Sequence, residues 1–170
     1  MKALALILTA LAPAGHAGPA PLEAAMVRCV TPIVTGAPLD LDGLQATTAE
    51  AEGLEPEGIA GFMPTYFRAP DGAFLMATMG AGPLRACALM TDAPVAADAF
   101  RTAVTALDMA LPASCDTALE DGGRVLIAMR QDGRIRTHGA LALDADGTTS
   151  ITAWVTMPDN DDMTCTKDAP

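Results

Sequence analysis

The sequence predicts an α+β domain, an antiparallel sheet built from two three-strand meanders with two main helices packed on one face, in the order α-βββ-α-βββ. Three observations carry that prediction. Two segments repeat their apolar residues at three- and four-residue steps, the period of a helix with one buried face. Between and after them lie short apolar runs of strand length. Gly-containing turns such as Pro70-Asp71-Gly72 and Ala145-Asp146-Gly147 separate those runs.

In chain order, the first 17 residues stand apart. Lys2 supplies a positive start, 3–12 is an apolar run broken only by Thr9, and Gly15-His16-Ala17 puts small residues where a signal peptidase reads. The run is too short for a bilayer, which needs roughly 20 residues. No cysteine follows for a lipid anchor. Cleavage after Ala17 is therefore expected, leaving one globular domain over 18–170 with an acidic C-terminal tail, periplasmic or secreted and without a membrane span. That length suffices for a real core.

The first helix is read over 21–34, with Leu22, Ala25, Met26, Cys29, Val30 and Ile33 as its stripe and Pro32 as a candidate early stop. An acidic connection follows, with a short helix expected over 43–52, capped by Asp42 and ended by Gly53. Strands are expected at 62–68, 73–79 and 84–90. Asp92 is expected to cap the second helix, with Pro94 in its first turn and Val95, Ala96, Ala99, Phe100, Ala103, Val104 and Leu107 inward. A loop with Cys115 leads to strands at 124–130, 134–143 and 150–157.

Composition limits the partners. The chain has 10 basic and 21 acidic residues, a formal net charge of −11. Loss of Lys2 with the signal would deepen the deficit. Nucleic acid is excluded as an expected partner, because phosphate contacts need clustered Lys and Arg. The four cysteines, an even number in an exported chain, predict two disulfides. Of three possible pairings, Cys29–Cys87 with Cys115–Cys165 is favoured, because it pins the first helix to the first meander and ties down the tail.

Catalytic and metal motifs fall away on inspection. Asp159-Asn160-Asp161-Asp162 begins like a calcium loop but has Thr164 where Gly belongs and Pro170 where Glu belongs. Met76 and Met79 are spaced for opposite faces of a strand, so a copper site is not expected. Ser114 and Ser150 are the only serines, and neither sits in a nucleophile elbow. No cofactor is expected.

One surface remains. If both turns of the second meander are three-residue loops with Gly left-handed, Val125, Ile127, Met129, Ile135, Thr137, Leu141, Ile151, Ala153 and Val155 face the core. Arg130, Arg134, Arg136, His138, Trp154 and Thr156 then share the other face. His138 would lie opposite Trp154, and Arg136 opposite Thr156. Arg and Trp anchor recognition more often than other side chains, and Arg grips carboxylate and phosphate in a fork. Arg130, Arg134, Arg136, His138 and Trp154 are therefore the candidate ligand-binding residues. The expected role is a non-enzymatic module that binds a small anion or an envelope protein. The alternatives are an enzyme using carboxylates or His138, and a secreted inhibitor presenting the loop around Cys115. The same face also has a purely structural reading: arginines offset the acidic tail, and Arg136 rests on Trp154 as a cation–π pair worth about 0.5–1 kcal/mol.

Overall fold

A computed structural model describes residues 20–54, 63–81, 84–157 and Cys165. The expected signal over 1–17, the acidic tail and the Asp159–Asp162 run lie outside these residues.

The first helical segment is continuous. It consists of α1 (Pro21–Ala25), a π-helical turn (Met26–Val30) and α2 (Thr31–Thr35). Pro32 does not end it. Proline gives no N–H and its ring crowds the carbonyl four residues back. The wide π turn falls where that crowding would occur, with the Thr31 N–H donating to the Met26 carbonyl. The segment stops at Gly36, which is left-handed at φ 74°.

The short helix expected over 43–52 is a correction. It is replaced by strand β1 (Gln45–Thr47) and a single 3-10 turn at Glu50–Glu52, which Gly53 ends as anticipated. Next come β2 (Thr65–Arg68), β3 (Leu75–Ala81) and β4 (Leu84–Thr91). The second helix, α3 (Ala97–Thr105), begins later than expected, and Asp92 does not cap it. Pro94 holds the residue before it in an extended conformation, so the helix cannot start at Asp92. The Ala93 N–H is taken instead by the Thr91 hydroxyl. The remaining strands are β5 (Asp116–Ala118), β6 (Arg124–Asp132), β7 (Ile135–Leu143) and β8 (Thr149–Thr156).

All eight strands form one antiparallel sheet in the order β1-β2-β3-β4-β8-β7-β6-β5. The antiparallel sheet is as predicted, but two three-strand meanders are corrected to eight strands in one sheet, with β1 and β5 added at its edges. The sequence reads the edge strands β1 and β5 as connection. In the middle β4 pairs with β8, with Cys87 opposite Ala153 and Leu89 opposite Ile151.

The hairpin registers divide. Between β7 and β8 the three-residue loop holds: Gly147 is left-handed at φ 97° and its N–H donates to the Asp144 carbonyl. His138 lies opposite Trp154 and Arg136 opposite Thr156, as read from the sequence. Between β6 and β7 the loop is Gly133-Arg134, with Asp132 opposite Ile135. Gly133, at φ 60°, takes the first of two loop positions, the place a type II′ turn reserves for glycine. This shift reverses the faces of β6. Leu126 and Ala128 are buried in the core, while Val125, Ile127 and Met129 are only partly buried. Thr137, Leu141, Ile151 and Ala153 point into the core as expected.

The core lies between the helices and one sheet face. Ala25, Cys29, Val30 and Ile33 from the first segment, and Phe100 and Val104 from α3, cover Met76, Leu89, Leu126, Leu141 and Ile151. Gly139 permits the close approach, because a Cβ there would stand 3.3 Å from Met109 Cε. The disulfides are Cys29–Cys87 and Cys115–Cys165, the favoured pairing. Among the described residues, no helix is long and apolar enough to cross a membrane.

Candidate functional site

The candidate residues are carried by β6, β7 and β8, and the register sorts them into three groups. Arg136, His138 and Trp154 share the sheet face turned away from the helices. They lie in successive cross-strand rows that run Gln131–Arg136–Thr156 and Met129–His138–Trp154. Arg134 sits in the exposed turn. Arg130 is opposite Thr137 and therefore on the helix face, where its Nη1 donates to the Leu107 carbonyl at 3.4 Å.

His138 is fully buried although it lies on the face turned away from α1, α2 and α3. Its ring stacks on Trp154, with centroids 4.8 Å apart and planes 5° from parallel. Its Nε2 is 3.0 Å from Thr156 Oγ1. Arg136, His138 and Thr156 are each engaged within the chain. The stack on Trp154 and the contact with Thr156 hold the imidazole within the sheet.

Next to Arg136 lies a cavity of about 410 Å³, within the size range of small-molecule sites; of the five candidate residues it is lined by Arg136 alone. Arg136, Gln131 and Ser114 supply its polar groups, Met129 and Pro112 its apolar surface, and the Cys115–Cys165 disulfide closes one side. The sequence does not single out Gln131, because the three-residue turn places it in the loop instead of opposite Arg136. It suggests Ser114 only as a nucleophile. An arginine fork, an amide and a hydroxyl around a partly apolar hollow can hold a carboxylate or a phosphate-sized anion. They offer no nucleophile–base pair.

Arg124 serves a different purpose. Its Nε and Nη2 each donate at 2.8 Å to the carboxylate of Asp116, which also accepts a hydrogen bond from Arg101 of α3. The Arg124 bonds foremost, with Arg101 adding to them, hold the Asp116 carboxyl below its ordinary range against the opposing effect of partial burial. The trio joins α3, β5 and β6, so Arg124 belongs to the fold. Among the described residues, no three His, Cys, Asp or Glu side chains are grouped to hold a metal ion.

The chain matches no protein-family model, no curated protein and no solved structure. The functional reading rests on the geometry alone.

Proposed function

We propose that this protein is an exported, non-enzymatic binding module that takes a small anionic ligand in the cavity beside Arg136. The two disulfides suit a domain working in an oxidising compartment. The observation that carries the reading is the cavity itself, which sets Arg136, Gln131 and Ser114 around one hollow. Arg136 is paired in the sheet between Gln131 and Thr156, so its backbone is already fixed when the anion arrives. Arg136 is already engaged within the chain, so the ligand exchanges for an existing partner. That exchange favours anions with two or more oxygens, which can use the guanidinium fork.

The single tryptophan reports on this face. In the oxidised protein recovered after export, titration with citrate and with inorganic phosphate should change the emission of Trp154, the neighbour of His138. A charge-assisted hydrogen bond is worth about 1.5–3 kcal/mol, so Arg136→Ala should weaken binding by roughly tenfold or more. Affinity that is the same in Arg136→Ala as in the parent protein would refute the reading.

A further inference from the structure

A second, larger cleft lies on the opposite, helix-covered face and uses none of the residues above. It has a volume of about 770 Å³. Its roof is the end of α2, with Ile33 and Val34, followed by Leu39 and Leu41 of the connection. Its floor is formed by the ends of five neighbouring strands, from Thr78 and Gly80 of β3 to Asp132 of β6. Four strand spacings make it about 19 Å long.

The middle of the lining is mainly apolar, with Thr137 beside Ile135, and the two ends are polar. Val155 and Ile135 occupy the middle of the floor, and Ile135 is 40% exposed, large for an isoleucine beside a core. Arg85 stands toward the β3 end, half-buried, directly opposite Gly80. Gly80 cannot be replaced by a larger residue without a shift, because at φ 84° a Cβ would come within 2.3 Å of the Leu84 carbonyl oxygen. Arg85 Nη2 donates to the Pro32 carbonyl at 2.9 Å, one of the carbonyls a helix end leaves open. This bond aims the group and uses one of its five N–H donors. Among the described residues, no carboxylate is within ion-pair distance of Arg85. Among those same residues, Asp132, exposed at the far end, is the only carboxylate lining the cleft.

We infer that this cleft binds an elongated amphiphile with a carboxylate head, the head at Arg85 and the chain lying along Val155 and Ile135 beneath Leu39 and Leu41. The polarity follows from the two ends: Arg85 attracts the head and Asp132 repels it. The apolar middle gives the tail a surface that water leaves on binding. Five strands' width of floor suits a chain rather than a compact ring.

The test is calorimetric titration of the oxidised, exported protein with dodecanoate, and with dodecanol as the neutral analogue of the same length. Dodecanoate should bind at one site per chain, at least tenfold more tightly than dodecanol. In Arg85→Gln that preference should shrink to less than threefold. Since Arg85 also caps α2, a second variant keeps it: Val155→Phe fills the middle of the floor and should weaken both ligands. Arg136→Ala should leave both affinities unchanged, which separates this site from the cavity beside Arg136. Equal binding of the two ligands by the parent protein, or no binding, would overturn the inference. So would a preference for dodecanoate that survives Arg85→Gln or is lost with Arg136→Ala.

Discussion

Asp116 shows how much of the electrostatics in this acidic chain is local. Its carboxylate is shared by Arg124 and Arg101, which lowers its pKa, and Glu52 is likewise lowered by its hydrogen bond from Arg68. A group whose folded pKa is depressed contributes stability above its unfolded value, about 4 for a carboxylate, and that stability is lost as pH falls through the folded value. Asp116→Asn should therefore lower the urea midpoint at pH 7, and the gap to the parent protein should close as pH falls below about 4. A gap of the same size at pH 3 would show that Asp116 acts through shape and not through charge. This pairing is not legible in the sequence. There Arg124 is one of four arginines in a hairpin, and nothing in its spacing from Asp116 reveals that a short strand, β5, brings the two together. His138 opposite Trp154 is legible, because the Gly147 loop that sets their register obeys a sequence rule.

At the scale of elements, the two hairpins of the second half contain the same Asp-Gly pair and fold differently. In one, Gly147 ends a three-residue loop; in the other, Gly133 begins a two-residue loop. Sequence alone does not choose, since Asp132-Gly133 satisfies either turn, and the choice decides which side of β6 is buried. What β6 prefers is visible only when Ile127 and Leu126 compete for the core against the helices. The positions of the longer strands, and Gly53 and Gly72 as the glycines of a helix end and a turn, are readable from local chemistry, and the favoured disulfide pairing follows from the order of the elements. The edge strands are not, being three residues each and held by their neighbours. The close approach at Gly80 gives a test of turn strain. Gly80→Ala brings a Cβ against backbone and should cost about 1–3 kcal/mol or more. Gly133→Ala meets nothing within 4 Å and should cost only its positive φ, about 1 kcal/mol. Urea unfolding of the two variants checks the order, and an equal loss would place the strain in φ alone.

Across the whole molecule, the sheet separates two faces and each disulfide belongs to one of them. Cys29–Cys87 bolts the π-helical turn to β4, two residues along the strand from Arg85, and both cysteines lie in the core. Cys115–Cys165 ties the end of the chain beside the cavity of Arg136. The bridges close spans of 58 and 50 residues. Loop entropy alone therefore makes them nearly equal, about 4 kcal/mol each. Their functional effects should differ sharply. The double variant Cys115→Ala with Cys165→Ala should weaken citrate and phosphate binding in the cavity beside Arg136 while dodecanoate binding persists. Cys29→Ala with Cys87→Ala releases the roof of the cleft from its floor and should weaken dodecanoate binding first. It should also cost more stability, because it empties sulfur from two fully buried positions. Titration of both variants with both ligand types, at a temperature where each remains folded by circular dichroism, gives the comparison. Loss of both affinities together in either folded variant would mean that the faces are coupled through the sheet; opposite losses would mean that this single layer of strands carries two independent sites.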